Sequence, residues 1–455
     1  AAGAGRAAAV AAWVAAAVAL PTVLGAAAGG SAGRELSWLA AVGGAEVGAS
    51  VLVYRVLRDW ERARRDPFGL VLGRRPGLFG DRLRLAGEDR FLHLAVLGPT
   101  GSGKTQSVLL PALRQDLWHG AGVSVLDPKG DLAEGALAAA AEAGRPVALL
   151  RPGDSASVRL NPLDAPPAEA AETVVYAFDR AFPGDHPFYR PLGQNLLRFA
   201  TRALVEVRPG SGLGDLLRLL EDETFRLEVL VRVRDEAVRR YFRDVFAAWP
   251  ARARAEYTAG VVNALLTLVG QPDLAAIFAP PATLDLGAHL AEGGVLVADL
   301  PVGRLGAGAG LAGAFLLSTL QRLALARGEG ARPHFVYVDE FAAFAPGGFG
   351  EMLAMARSKR VGAVLAHQHL GQLAPALRQA VEANARNRLV LAGVAPDDAL
   401  ALARLATAEG ARERALAHAL RHLPRGQGVL FAVRRGQVLP PARLLLPAPS
   451  AARRG

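Results

Sequence analysis

Residues 91–105 read FLHLAVL followed by GPTGSGKT, and they decide the fold of this 455-residue chain. The first seven residues form a largely apolar run of strand length, and the next eight match the pattern G-x-x-x-x-G-K-T. Apolar residues at helical spacing follow at Leu109, Leu110 and Leu113. A strand, a glycine-rich loop and a helix in this order predict a phosphate-binding loop, in which backbone N–H groups and the helix N-terminus hold phosphate oxygens.

The residues of this loop have predicted parts in nucleotide binding. Lys104 is expected to reach the β- and γ-phosphates, and the Thr105 hydroxyl is expected to bind Mg²⁺. The predicted nucleotide-binding residues of the loop are Gly98, Pro99, Thr100, Gly101, Ser102, Gly103, Lys104 and Thr105. The pattern therefore predicts ATP and Mg²⁺ as cofactors, against the alternative of an accidental glycine-rich turn.

Lysine is scarce in this chain, which makes its positions informative. Only three of the 52 Lys and Arg residues are lysines, namely Lys104, Lys129 and Lys359. Each of the three lies in a segment that other sequence features also mark as a candidate for function. Where arginine has replaced lysine almost everywhere, a remaining lysine is expected where a compact ammonium does what a planar guanidinium cannot.

A predicted strand over residues 334–338 ends at two acids, Asp339 and Glu340. Asp339 is expected to bind the Mg²⁺, and Glu340 is expected to polarise the attacking water. The alternative is a polar cap at the end of a strand. Together with the phosphate loop, the pair predicts a site that hydrolyses a nucleotide.

Two further candidates flank the predicted strand 361–366. Gln368 follows it and could contact the γ-phosphate or its water, although a polar strand cap is the alternative. Arg357 precedes it and is a candidate arginine finger, which in a ring would reach a neighbour's nucleotide. A solvated surface arginine is the alternative for Arg357, and Arg360 competes for the same role.

The rest of the soluble part alternates short apolar runs with helical patterns, which predicts a mainly parallel sheet covered by helices on both faces. Further strands are predicted at 122–126, 146–150, 294–300, 389–392 and 428–433. From about 168 to 289 only helical spacing is found. The predicted organisation is a membrane anchor over 1–65, an α/β nucleotide-binding domain over 66–167 and 290–455, and an all-α inserted domain over 168–289.

The N-terminal segment predicts a transmembrane hairpin. Residues 7–28 carry no charge and rise about 33 Å as a helix, enough to cross a hydrocarbon core of about 30 Å. Residues 36–54 form a weaker span with Glu46 near its centre. Arginines cluster over residues 55–65, which places both termini in the cytoplasm. A signal peptide, or one span followed by a surface helix, is the alternative.

Composition narrows the function. The chain has no cysteine, which excludes disulfides, thiolate metal sites and a cysteine nucleophile. Hydrophobic residues make up 51%, which excludes a disordered protein, and the net charge of +10 favours an anionic partner. Arginines beside aromatic residues over 232–257 suit a nucleic-acid surface, but an ordinary amphipathic helix explains them about as well.

Several segments together resemble the TraG/TraD-type coupling proteins of type IV secretion and conjugation, over about residues 90–440. They fall in the family's order and comprise the phosphate loop, VLDPKGD at 125–131, LNPL at 160–163, YTAGV at 257–261, Asp339-Glu340-Phe341, the segment around Arg357, Gln368 with Gln372 and Leu373, and Asn384.

The resemblance implies a RecA-like ATPase domain carrying an all-α domain, with Asp127 added to the cofactor-binding residues. It implies that Lys104, Glu340, Gln368 and Arg357 have catalytic roles. A homo-hexamer in the bacterial inner membrane, with its soluble part in the cytoplasm, is expected. Expected partners are single-stranded DNA, a relaxase or relaxosome, and subunits of a type IV secretion channel.

Two other functions stay open. One is a nucleotide-gated docking receptor for protein secretion, which would do little mechanical work. The other is an FtsK- or HerA-like pump for double-stranded DNA, against which the D-P-K-G-D and N-P-L segments argue.

Overall fold

The computed structural model describes residues 65–77, 80–179, 189–328, 330–345, 349–406 and 410–448, together with positions 57, 58 and 61. Both predicted transmembrane segments, 7–28 and 36–54, lie outside the described residues. The chain divides into two units after Pro67, and the strands and helices of the fold belong to the unit that begins at Phe68.

Within the described residues, eleven strands form one sheet and two form a separate short ribbon. The strands are β1 Leu70–Arg74, β2 Arg82–Leu85, β3 Leu94–Leu97, β4 Gly122–Asp127, β5 Val147–Leu150, β6 Val295–Asp299, β7 His334–Val338, β8 Val361–His367, β9 Asn387–Leu391, β10 Gln427–Phe431, β11 Val433–Arg434, β12 Gln437–Val438 and β13 Ala442–Leu445. The order across the large sheet is β2-β1-β13-β10-β9-β3-β8-β7-β4-β6-β5, and β11 pairs with β12 in the ribbon.

The seven neighbouring strands from β9 to β5 are parallel. Every residue of β3, β4, β6, β7 and β8 is buried, because these strands are covered on both faces. The predicted α/β class with a mainly parallel sheet is therefore confirmed.

The remaining four strands of the large sheet form an antiparallel edge. β10 pairs with β9 and β13, and β1 pairs with β13 and β2. Of these four, the sequence predicted only β10. The sheet is therefore wider than expected on the side of the phosphate-loop strand.

Helices connect the parallel strands. The phosphate loop leads into a π-type turn over Lys104–Leu109 that continues as α1 Leu110–Trp118, and β4 is followed by α2 Asp131–Glu142. Between β5 and β6 lie α3 Pro167–Asp179, α4 Tyr189–Val207, α5 Leu213–Glu221, α6 Glu223–Leu230, α7 Glu236–Arg240, α8 Ala251–Val269, α9 Pro272–Ile277 and α10 Leu286–Ala291. The later helices are α11 Val302–Leu305, α12 Ala307–Ala326, α13 Phe349–Met355, α14 Pro375–Asn384, α15 Pro396–Ala406 and α16 Ala411–Arg421.

One described helix, α12, is long and apolar enough to cross a membrane. Fourteen of its residues are nevertheless buried inside the fold, where it lies against α3, α10 and α13. Burial by protein accounts for its apolar composition, so α12 is a core helix.

Aromatic residues form the core of the helical insertion. Tyr241 stacks on Phe199 with ring centroids 4.3 Å apart, and Phe242 and Phe246 are buried beside it. The guanidinium of Arg254 lies 5.2 Å from the centre of the Phe246 ring. Arg254 and these aromatic residues are therefore partners in an amphipathic helical core, and the buried rings of Tyr241, Phe242 and Phe246 do not offer a stacking platform for bases.

The apolar run before the phosphate loop is only partly a strand, which corrects the prediction for 91–97. Glu88–Leu92 forms a 3₁₀ turn, and His93, with φ of +58°, separates it from β3. His93 Nε2 lies 2.8 Å from the carbonyl of Leu353, and Nδ1 accepts the N–H of Ala363 at 3.0 Å. Only the neutral ring fits both contacts, and burial lowers the pKa of His93 to about 4.

Candidate active site

The carboxyl ends of four neighbouring strands bring most of the predicted site residues together. The phosphate loop follows β3, Gln368 follows β8, the acid pair follows β7 and the D-P-K-G-D segment follows β4. These strands are adjacent and parallel in the order β3-β8-β7-β4. Their ends therefore meet at one edge of the sheet, where open α/β sheets bind ligands.

The phosphate loop needs its glycines for two different reasons. Gly101 and Gly103 have φ of +79° and +96°, in the region that favours glycine. Gly98 is required by space, because a Cβ there would lie 2.6 Å from Ser102 Oγ and 2.9 Å from Leu391 Cβ. No described atom lies within 4 Å of a Cβ built on Gly101, so the loop is open on that side.

Lys104 is buried and donates to two carbonyls of its own loop. Its Nζ lies 2.7 Å from the Gly98 oxygen and 3.3 Å from the Pro99 oxygen. Desolvation lowers the pKa of Lys104, and the negative charges of Glu340 and Asp339 oppose that shift only in part. A poorly solvated ammonium of this kind gains from exchanging carbonyl contacts for anionic phosphate oxygens.

Thr105 and Asp339 meet across 234 positions of the chain. The Thr105 hydroxyl donates to Asp339 Oδ2 at 2.7 Å, and Asp339 Oδ1 accepts the N–H of Glu340 at 2.9 Å. A hydroxyl and a carboxylate oxygen are the hard ligands that Mg²⁺ prefers, and they lie beside the phosphate loop. The residues present therefore fit the predicted metal.

Glu340 turns away from the strand that precedes it. Its φ of +44° lies in the left-handed region. Oε1 of its carboxylate accepts two hydrogen bonds, from Lys129 Nζ at 2.6 Å and from Gln368 Nε2 at 3.0 Å. Among the described residues, no donor contacts Oε2. Burial acts to raise the pKa of Glu340, but the contacts with Lys129 and Gln368 outweigh it, so the pKa is lowered and the carboxylate is ionised.

Lys129 is a site residue that motif-based reasoning did not select. Its side chain is 46% exposed, yet its ammonium pairs with a carboxylate that is only 11% exposed. Burial acts to lower the pKa of Lys129, but the hydrogen bond to Glu340 and the nearby negative charges raise it overall. The signal in the sequence was the scarcity of lysine, since Lys104 and Lys129 both lie in this site.

Asp127, which was predicted to bind the cofactor, is engaged by its own loop. Its Oδ1 accepts the N–H of Lys129 at 2.9 Å, and its Oδ2 accepts the N–H groups of Leu132 at 2.7 Å and Ala133 at 2.9 Å. Desolvation raises the pKa of Asp127, against these backbone hydrogen bonds. Asp127 therefore caps α2 and fixes the backbone from which Lys129 projects.

Gln368 is held in place by a second glutamine. Gln372 Oε1 accepts the N–H of Gln368 at 2.9 Å, within the turn Leu370–Gln372 that follows β8. This contact fixes the backbone while the side-chain amide of Gln368 reaches Glu340. Gln368 therefore links the Glu340 carboxylate to the turn that follows β8.

Arg357 is not brought to this edge of the sheet. It lies in the turn Ala356–Lys359 before β8, and β8 rises about 20 Å from Val361 to His367, the end that is level with the phosphate loop. Its side chain is exposed. The competing Arg360 is bound locally, with its guanidinium 3.2 Å from the Ala331 carbonyl. Neither arginine can contact a nucleotide held in its own chain.

A model of the family described as Type IV secretory system Conjugative DNA transfer matches residues 59–198. No curated protein matches the chain. The solved structure of plasmid coupling protein TrwB with ADP and Mg²⁺ is 18% identical, with a TM-score of 0.63 over 82% of this chain and 88% of its own. TrwB with the ATP analogue ADPNP is 19% identical, with a TM-score of 0.60 over 78% of this chain and 85% of its own.

VirB4 of Thermoanaerobacter pseudethanolicus is a further structural match, 15% identical with a TM-score of 0.56 over 84% of this chain and 97% of its own. At these identities the structural matches show a common fold. The family model adds a match in sequence that covers the phosphate loop and the D-P-K-G-D segment. Together they confirm the resemblance read from the motifs: the chain is similar to the coupling ATPases of conjugative type IV secretion.

Proposed function

We propose that this chain is an ATPase that drives DNA, alone or with attached protein, toward a type IV secretion channel. The observation that carries the proposal is the contact at 2.7 Å between Thr105 and Asp339, which joins the phosphate loop to the acid pair. The family match and the fold support a role in conjugative DNA transfer. The TrwB structures with ADPNP and with ADP and Mg²⁺ support ATP and Mg²⁺ as ligands.

The phosphate loop is proposed to bind the nucleotide phosphates, and together with the acid pair it is proposed to bind Mg²⁺. Backbone N–H groups of residues 98–105 and the Lys104 ammonium would hold the phosphates, with Lys104 leaving its two carbonyl partners. Thr105 and Asp339 would hold Mg²⁺. When bound, Mg²⁺ neutralises charge that develops on the phosphate oxygens.

Glu340 is suited to accept the proton of the attacking water. Its carboxylate is ionised, and its Oε1 accepts hydrogen bonds from Gln368 and Lys129. Gln368 contacts the same oxygen, so a change at the γ-phosphate can pass through Gln368 to the turn that follows β8. These residues supply one chain's half of the hydrolytic site.

The remaining parts of the proposal concern assembly and location. Arg357 is assigned to a neighbouring subunit's nucleotide, because the length of β8 separates it from its own. This requires a ring of identical subunits, and a hexamer is proposed. Residues 1–65 are proposed to anchor the ring in the inner membrane with residues 66–455 in the cytoplasm, where it would receive a relaxase-bound single strand.

The test of function is ATP hydrolysis by the purified full chain in lipid nanodiscs with Mg²⁺. Wild type should hydrolyse ATP, and single-stranded DNA should stimulate it, with an affinity that falls as salt rises. Lys104→Ala should lose nucleotide binding, whereas Glu340→Gln should bind ADPNP and lose roughly 100-fold or more in kcat. Arg239→Met, which removes an exposed cation on α7, is the matched control and should match wild type in ADPNP binding and in hydrolysis without DNA.

The outcomes separate the competing functions. Absence of hydrolysis with every cargo and salt concentration would refute the ATPase. Hydrolysis that double-stranded DNA stimulates more than single-stranded DNA would favour the pump. A substrate pulldown that Glu340→Gln leaves unchanged, with no DNA affinity, would favour the docking receptor.

The shared site is tested by mixing subunits. Arg357→Ala and Lys104→Ala should each be inactive alone, because each lacks one half of every site. Mixed in one ring, they should recover part of the activity, since some interfaces combine an intact phosphate loop with an intact Arg357. No recovery, with mixed rings verified by two affinity tags, would contradict action between subunits.

A further inference from the structure

Lys129 contacts the Glu340 carboxylate, which is proposed to accept the proton of the attacking water. Its Nζ lies 2.6 Å from Glu340 Oε1, the oxygen that Gln368 Nε2 also contacts at 3.0 Å. Two donors on a single oxygen fix the plane of the carboxylate as well as its position. The second oxygen, Oε2, is left without a donor among the described residues.

The segment that carries Lys129 is built to hold this contact. Asp127 accepts the Lys129 N–H at 2.9 Å and binds two N–H groups in the first turn of α2. Gly130, with φ of +98°, directly precedes the first residue of α2 in a conformation that favours glycine. The backbone on both sides of Lys129 is thus fixed by Asp127 and by the start of α2. Its side chain projects from this fixed backbone toward Glu340.

The chemistry of the residue type fits this place. A lysine ammonium is a compact charge that can share one carboxylate oxygen with a neighbouring amide. A guanidinium would instead engage both oxygens side by side and cover Oε2. In a chain with only three lysines, two lie in this site.

We propose that Lys129 is a positioning residue for Glu340: together with Gln368 it holds Oε1, so that Oε2 faces the attacking water. This inference rests on the proposed ATPase function. It assigns Lys129 no contact with the nucleotide, and it predicts an effect on the rate of the chemical step alone.

The experiment compares steady-state hydrolysis and ADPNP binding by the full chain in nanodiscs. Lys129→Met should lower kcat by roughly 10- to 100-fold, the scale of a misplaced catalytic group, and leave the Kd for ADPNP within twofold of wild type. Lys129→Arg keeps the charge and should recover only part of the rate, because its fork also covers Oε2. Arg239→Met, the control on α7, should match wild type in both measurements.

A double mutant separates action through Glu340 from a general loss. In a Glu340→Gln background, Lys129→Met should change the single-turnover rate by less than twofold, because the group that it positions is already disabled. Lys129→Gln repeats the comparison if the Met variant proves unstable, since the side chain is nearly half exposed.

Three results would overturn the inference. An unchanged or raised kcat in Lys129→Met would show that the lysine does not support Glu340. A loss that appears in the Kd for ADPNP would make Lys129 a nucleotide ligand, and a full further loss in the Glu340→Gln background would mean independent action. Failure of the ATPase proposal is recognised separately, because wild type itself would then not hydrolyse ATP.

Discussion

A buried ion pair behind the active site gives a quantitative prediction about stability. Arg90 donates two hydrogen bonds to Asp116, at 2.5 and 2.7 Å, and the Tyr337 hydroxyl donates a third. The side chains of Arg90 and Asp116 are 3% and 0% exposed, and the Arg90 guanidinium lies 3.5 Å from the centre of the Phe335 ring. The cluster connects the turn before β3, α1 and β7, which carry the phosphate loop and the acid pair.

Asp116→Ala would leave the Arg90 guanidinium buried with no anion. Removing one partner of a buried pair costs about 3–5 kcal/mol in the free energy of unfolding. Tyr337→Phe keeps both bonds between Arg90 and Asp116 and removes one bond to a charged group, which costs about 1.5–3 kcal/mol. Both changes should destabilise the protein, and Asp116→Ala should do so more strongly.

An exposed ion pair of similar length provides a comparison for the buried one. Arg239 and Glu236 on α7 lie 2.6 Å apart, but their side chains are 50% and 58% exposed. Glu236→Ala should therefore change the free energy of unfolding by about 1 kcal/mol or less. Asp116 accepts two bonds from Arg90 and one from Tyr337, whereas Glu236 accepts one bond from Arg239. The difference between the two substitutions to Ala therefore reports the unpaired buried charge together with these additional bonds.

The assay is urea unfolding of the full chain in nanodiscs, followed by far-ultraviolet circular dichroism, with equal slopes required for the comparison. The double mutant Asp116→Ala with Arg90→Met should be less destabilised than the sum of the single changes, because it leaves no lone charge. Equal destabilisation by Asp116→Ala and Glu236→Ala would refute the reasoning. Strict additivity in the double mutant would do the same.

Because the folded pKa of His93 is about 4 and the ordinary value is 6.5, only the unfolded chain takes up that proton between these values. His93 alone should therefore lower the free energy of unfolding by up to about 1.4 kcal/mol per pH unit as pH drops from 6.5 to 4, and urea titrations of His93→Gln should show a shallower fall. Thr105→Val should weaken ADP binding by roughly tenfold in the presence of Mg²⁺ and not in EDTA, as isothermal titration would measure. Gly98→Ala should destabilise by about 1–3 kcal/mol in thermal unfolding, because its Cβ would meet Ser102 and Leu391.

Local patterns were enough to predict which residues form the site. The phosphate loop, the acid pair and Gln368 each follow an apolar run, and parallel strands place such positions at one edge. The meeting of Thr105 and Asp339 follows from that rule together with the chemistry of Mg²⁺ binding. The strand order was not predictable in this way, because no local signal shows that β8 lies between the strands of the two motifs.

The antiparallel edge was missed for a physical reason. β2 reads RLRL, with two arginines in four residues, and β13 reads ARLL. β2 is the outermost strand, and short strands with charged side chains are typical of that position, where they prevent pairing with other chains. The same features resemble a polar loop when only the sequence is considered. Hydrogen bonding to distant strands, which the sequence does not display, decides the structure here.

Lys129 was missed because its role depends on a neighbour in the sheet. β7, which ends at the acid pair, has β8 on one side and β4 on the other. A carboxylate at the end of such a strand is flanked by the loops that follow the two neighbouring strands. It is fixed from both sides only when each loop carries a side chain that donates a hydrogen bond to it. Gln368 provides the donor after β8 and Lys129 provides it after β4. The two donors come from opposite sides of β7. Loss of either Gln368 or Lys129 therefore leaves the Glu340 carboxylate supported from one side only, and neither donor can replace the other.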